Sequence, residues 1–133
     1  MLIEDCERLL RAALSHRDDV RFAWLFGSAV ARGPDAARDL DVAVAFRSPP
    51  SLLDLCRLAA DLEREVGKEV DVVDLDGATT LLRWEVLRSG RVLSAPDAPA
   101  LLEFRARVPL EYFDLRPHLD RQAAGLRRAL LGA

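Results

Sequence analysis

Three short apolar runs, residues 20–26, 39–46 and 69–75, constrain this chain most, because the second and third hold carboxylates where a buried strand ordinarily holds none. The first, Val-Arg-Phe-Ala-Trp-Leu-Phe, is aromatic and aliphatic, stops at Gly27-Ser28, and predicts a largely buried strand ending in a tight turn. The second opens Asp39-Leu40-Asp41-Val42, and strand geometry with its period of two puts Asp39 and Asp41 on one face. The third, rich in β-branched residues, encloses Asp71. If those two strands are neighbours, three carboxylates converge, and their mutual repulsion calls for a multivalent cation among them. Hard oxygen ligands from two or three carboxylates, completed by water and phosphate, suit Mg²⁺ or Mn²⁺.

Helical periodicity fills the spaces between these runs. Apolar residues recur at three- and four-residue steps over 2–14 and again over 52–66, where Gly67 stands in the position of a C-cap. A third helix is expected from about 78 to 89, capped by Asp76 and stopped by Gly90, with a short strand at 91–93 after it. Residues 29–38, which include Gly33-Pro34, read as a loop or a short helix followed by a loop. From Ala100 the composition is helical, with interruptions expected at Pro109 and Pro117. The order predicts an α/β fold with a small sheet packed by helices and a helical C-terminal extension.

At 133 residues and 50% hydrophobic, the chain fits one domain over 1–133, with its core at about 20–93 and a helical tail at about 97–131. The net charge of −3 provides no general field for nucleic acid or an anionic membrane, so polyphosphate would have to be bound locally. Cys6 and Cys56 fall among apolar positions of predicted helices and read as reduced core residues, a disulfide being the lesser alternative. No leader or membrane-length apolar segment is evident, and the expected location is the cytoplasm.

The Gly27-Ser28 turn offers free backbone N–H groups and a hydroxyl to phosphate oxygens. Taken alone, a strand-end pair of aspartates simply faces water; joined to Gly-Ser and a further Asp in an aliphatic strand, it becomes a specific pattern. Asp74 falls on the face opposite Asp71, and with Asp76 reads as a strand-end or capping residue. His16 and His118 lack partners at zinc-ligand spacing and read as surface residues. Trp84 is expected in the core or on a partner surface, Tyr112 in a packed helix or as an acceptor of self-modification. Arg121, Arg127 and Arg128 suggest a solvated face opposite packed leucines.

The segments Leu25-Phe26-Gly27-Ser28, Ala31-Arg32-Gly33, Asp39-Leu40-Asp41-Val42 and Glu69-Val70-Asp71-Val72-Val73 together resemble the minimal nucleotidyltransferases (MNT) of the DNA polymerase β superfamily. Within it the chain is similar to the MNT antitoxins paired with HEPN toxins, and residues 81–93 extend the likeness. The resemblance implies a nucleotidyltransferase fold with a small mixed sheet. It also implies ATP as substrate, two Mg²⁺ ions ligated by Asp39, Asp41 and Asp71 as the catalytic set, and triphosphate bound by Gly27 and Ser28, with Arg32 and Arg38 as further phosphate ligands. The implied reaction is transfer of AMP to a tyrosine of a partner HEPN toxin. Arg38 stands where the family usually has Ser or Thr, and could reach a phosphate or pair with Asp39. The alternatives are a catalytically idle antitoxin that neutralises its toxin by binding, and nucleotidyl transfer to a small molecule.

Overall fold

The computed structural model describes residues 2–33 and 39–132. Its elements run α1 (Ile3–Leu14), β1 (Val20–Phe26), α2 (Ser28–Arg32), β2 (Asp39–Phe46), α3 (Leu52–Val66), β3 (Glu69–Asp74), α4 (Thr80–Ser89), β4 (Arg91–Ser94) and α5 (Ala98–Leu131). The strands form one mixed sheet in the order β3-β2-β1-β4. β1 is antiparallel to both β2 and β4, while β2 and β3 are parallel, joined by α3 as the crossover that parallel neighbours require.

Alternation along the strands divides the core into two layers. Val20, Ala23 and Leu25 of β1 and Leu40, Val42 and Val44 of β2 pack against Cys6, Leu10 and Leu14 of α1 and Leu58 and Leu62 of α3. Phe22, Trp24, Phe26, Ala43 and Ala45 meet Val86 of α4 and Ala100 and Phe104 of α5 on the opposite face. Phe22 and Trp24 lie 5.3 and 5.9 Å from Phe104, ring centre to ring centre. Asp39 and Asp41 share the face of Ala43 and Ala45, and so open toward the α4–α5 side.

Local chemistry sets the helix ends. The Ser51 hydroxyl accepts from Asp54 N–H at 3.0 Å, and the Asp54 carboxylate accepts from Ser51 N–H at 2.9 Å, a reciprocal cap on α3. Gly67 closes that helix in the left-handed conformation, φ 71°. The cap of α4 corrects the sequence expectation: it is Thr79, whose hydroxyl accepts from Leu82 N–H at 3.2 Å, and the chain between Asp76 and Thr79 remains a turn. Cys6 is buried as expected, but Cys56 is exposed. The buried face of α3 runs through Leu58, Leu62 and Val66, and a residue two positions before Leu58 points well away from it.

α5 departs most from expectation. It passes through Pro109 and Pro117 as one helix, since a proline's fixed φ suits a helix and its cost is one lost backbone bond and a steric conflict with the preceding turn. At about 51 Å for 34 residues it is longer than any strand of the sheet. The packed leucines expected opposite the arginines are therefore exposed at Leu126, Leu130 and Leu131. Trp84 is half-buried and stacks on Tyr112 at 4.4 Å, which places Tyr112 in a packed contact. No helix among the described residues is long and apolar enough to cross a membrane.

Candidate active site

Strand register assembles the acidic residues. In the parallel β2–β3 pair Asp41 lies opposite Asp71, and Asp39 opposite Glu69. In the antiparallel β1–β2 pair Asp41 lies opposite Phe26, so the chain leaving β1 turns directly beside it. That turn is Gly27, with φ 80° and ψ −154°, a conformation that side-chain-bearing residues scarcely adopt. Glycine is required there for a second reason. A Cβ on Gly27 would lie 3.2 Å from the Asp41 carboxyl carbon and would overlap its Oδ2.

Asp39 and Asp41 are half-buried and Asp71 is exposed. Partial burial, followed by the Asp71 and then the Asp39 carboxylate, raises Asp41 above its ordinary pKa of 3.8. Asp74 pairs with Val44, on the face away from Asp71. Three like-charged oxygen donors at one sheet end, one of them disfavoured as an anion by the other two, are the donor chemistry that fits a hard divalent cation. They do not form a closed cage: among the described residues no three His, Cys, Asp or Glu side chains are gathered tightly enough to hold a metal ion. The arrangement leaves room for phosphate and water as the remaining ligands, as magnesium sites in phosphoryl transfer commonly do.

Ser28 begins α2 and is exposed, and Arg32 in its last turn is exposed as well. Arg38 lies outside the described residues. Glu69 is the acidic residue that sequence reasoning passed over. Two positions before Asp71, it repeats on β3 the acid-aliphatic-acid order of Asp39-Leu40-Asp41, and the register sets the two triplets side by side. A separate cleft of about 290 Å³, lined by Arg21, Phe22, Asp76, Arg83, Phe104 and Glu111 among others, includes none of the three aspartates. Its Arg83 is already paired with Glu111 at 3.3 Å.

Residues 9–98 match the family model described as polymerase beta, nucleotidyltransferase. Over 68 residues the chain is 40% identical to "Putative protein adenylyltransferase MJ0435" of Methanocaldococcus jannaschii, covering 51% of this chain and 73% of that protein. A crystal structure of a toxin-antitoxin with AMP-PNP superposes with a TM-score of 0.75 at 23% identity, over 90% of this chain and 97% of that one. A structure of the tri-AMPylated Shewanella oneidensis HEPN toxin in complex with MNT antitoxin gives 0.73 at 21% identity, over 95% and 98%. At those identities the two superpositions speak to the fold, and they agree with the mixed sheet and long final helix seen here.

Proposed function

Because this chain belongs to the polymerase β nucleotidyltransferase family, we propose that it is an antitoxin that transfers AMP from ATP to a tyrosine of a HEPN toxin. The observation that carries the reading is the register of Asp41 against Asp71, with Asp39 on the same face and Gly27 pressed against Asp41. Mutual repulsion among the carboxylates supports Asp39, Asp41 and Asp71 as the residues that hold two Mg²⁺ ions. Bound there, the metal would supply Lewis-acid neutralisation of the charge that develops on the phosphates. The likeness to a "Putative protein adenylyltransferase" and to an MNT antitoxin in complex with a tri-AMPylated HEPN toxin favours ATP and a protein acceptor.

The chain's own groups then have distinct tasks. The first N–H groups of α2 have no partner within the helix, and with the Ser28 hydroxyl they are available to triphosphate oxygens. Arg32, exposed in the last turn of α2, would add positive charge for the leaving pyrophosphate, and Arg38 is assigned the same task on the family resemblance alone. Asp71, the exposed member of the set, stands where an acceptor can approach from solvent. The tyrosine oxygen forms a bond to the α-phosphorus, the bond from that phosphorus to pyrophosphate breaks, and the phenolic proton passes to the Asp71 carboxylate. Asp41 is paired with Phe26 on one side and Asp71 on the other, which sets its carboxylate between the Gly27 turn and Asp71.

Intact-protein mass spectrometry of a HEPN toxin incubated with this protein, Mg²⁺ and ATP tests the reading. Increments of whole AMP units are expected, absent with Asp39→Ala/Asp41→Ala. An unmodified toxin that still forms a stable complex would overturn transfer in favour of neutralisation by binding.

A further inference from the structure

One face of α5 bears apolar residues well beyond the body of the domain. Phe104, Val108, Leu115, Leu119, Leu126 and Leu130 recur in steps of four and seven, a spacing of eleven residues per repeat that keeps them in line along the helix. Phe104 and Val108 pack on the domain, Leu115 and Leu119 are half-buried, and Leu126 and Leu130 are 61% and 74% exposed. The stripe that anchors the helix therefore continues into solvent.

A projecting helix of this kind is a poor stand-alone element. It contains Pro117 and Gly125, both unfavourable inside helices, and most helical stability in proteins comes from packing of an amphipathic face rather than from propensity. Its charge also runs against the rest of the chain. Beyond Leu115 stand Arg116, Arg121, Arg127 and Arg128 against the single carboxylate of Asp120, in a protein whose net charge is −3. Among the described residues Arg116, Arg127 and Arg128 have no carboxylate partner. A surface complementary to this one is apolar and rimmed with acidic residues.

Resting on the antitoxin reading above, we propose that the distal half of α5 is the docking surface for the toxin, which meets it with a carboxylate-rimmed apolar groove. A toxin fits better than a lipid surface because Gln122 interrupts the stripe and no exposed aromatic anchor lies beyond Phe113. The relative found in complex with a HEPN toxin also superposes over 95% of this chain, a span that takes in most of α5.

Calorimetric titration of the full chain with a purified HEPN toxin tests this. Leu126→Glu/Leu130→Glu is expected to weaken binding about 100-fold, the scale of losing two interface anchors. Arg127→Glu/Arg128→Glu should weaken it about tenfold and flatten its salt dependence. Both variants should keep the wild-type far-ultraviolet circular dichroism, and at saturating toxin both should transfer AMP at the wild-type kcat with a raised KM. Unchanged toxin affinity in both variants overturns the proposal, as does a wild-type protein that binds no HEPN toxin. It is equally overturned if Leu126→Glu/Leu130→Glu abolishes sedimentation with phosphatidylglycerol vesicles, or dissociates a dimer of this chain, while toxin affinity stays the same. A wild type that binds through these residues yet adds no AMP would refute the transfer reading and leave the docking surface standing. AMP transfer with an unaltered KM in Leu126→Glu/Leu130→Glu does the reverse.

Discussion

Replacing Gly27 with alanine should injure the protein in two ways that a double-mutant cycle separates. At φ 80° and ψ −154° a side chain strains the backbone by about 1–3 kcal/mol. For a chain of this size that lowers the melting temperature by roughly 4–12 °C, taking about 4 °C per kcal/mol. The added Cβ also takes the place of Asp41 Oδ2. The carboxylate must swing away, and if Asp41 has the proposed catalytic role a displacement of that order should cost activity on the order of 100-fold. In an Asp41→Ala background the second injury disappears, because the Asp41 Cβ would be 3.5 Å from the new methyl, an ordinary contact. Urea unfolding of the four proteins at pH 7, without divalent cations, should give a smaller cost for Gly27→Ala when Asp41 is absent, with a coupling of about 1 kcal/mol. Equal costs in both backgrounds would mean that glycine serves the backbone alone. No cost in the wild-type background would refute the geometry altogether.

Asp41→Asn should stabilise the protein at neutral pH. A carboxyl held above 3.8 in the fold contributes most below that value, and its contribution is lost as pH rises through the raised value. The advantage of the variant should therefore open between pH 3 and pH 7, and Mg²⁺ should raise the wild-type melting temperature more than the variant's. A wild type that is the more stable at pH 7 without cations would contradict this. Ser51→Ala removes the reciprocal cap of α3 and should cost about 1 kcal/mol. Hydrogen bonds from Ser51, the backbone N–H first, hold Asp54 below its ordinary 3.8, so the cap's benefit in the wild type should fade as pH falls through that lowered value. Thermal melts from pH 2 to pH 7 read both effects, and coincident curves would show that the cap contributes nothing.

The strands were legible because each is bounded by chemistry that cannot continue it. Gly27 ends β1, Pro49-Pro50 follows β2, and Gly67 precedes β3. Their order was not, since a period-two pattern says which residues share a face and nothing about which strand lies alongside. The value of Asp71 depended on that order: placed on the far edge of the sheet, it would have been one more water-facing acid. The same gap hid Glu69, which matters only once β3 is set parallel to β2. Sequence does not single out Thr79, because Asp76 is equally apt as a cap in isolation, and the turn at Gly77 decides between them. In α5 tertiary packing around Val108 overrides the local preference of Pro109, which no window of sequence reports.

An ordinary strand end does not explain these carboxylates. A solvent-facing acid is free to turn outward, keeps its usual pKa, and places no demand on the neighbouring strand. Here burial is the foremost cause of Asp41's shift, and Asp71 adds to it from the adjacent strand. The neighbouring strand also ends in a glycine whose missing side chain leaves the space the carboxylate occupies. Each feature lowers stability, and a sheet with Asn at 41 and an unstrained turn at 27 would fold at less cost. Local rules broken together at one place are what the proposed catalytic role of these carboxylates would account for. On the reading proposed above, a bound divalent cation would reverse the sign of the repulsive contribution, and the elements that weaken the empty fold would be the ones that recognise the metal and its phosphates.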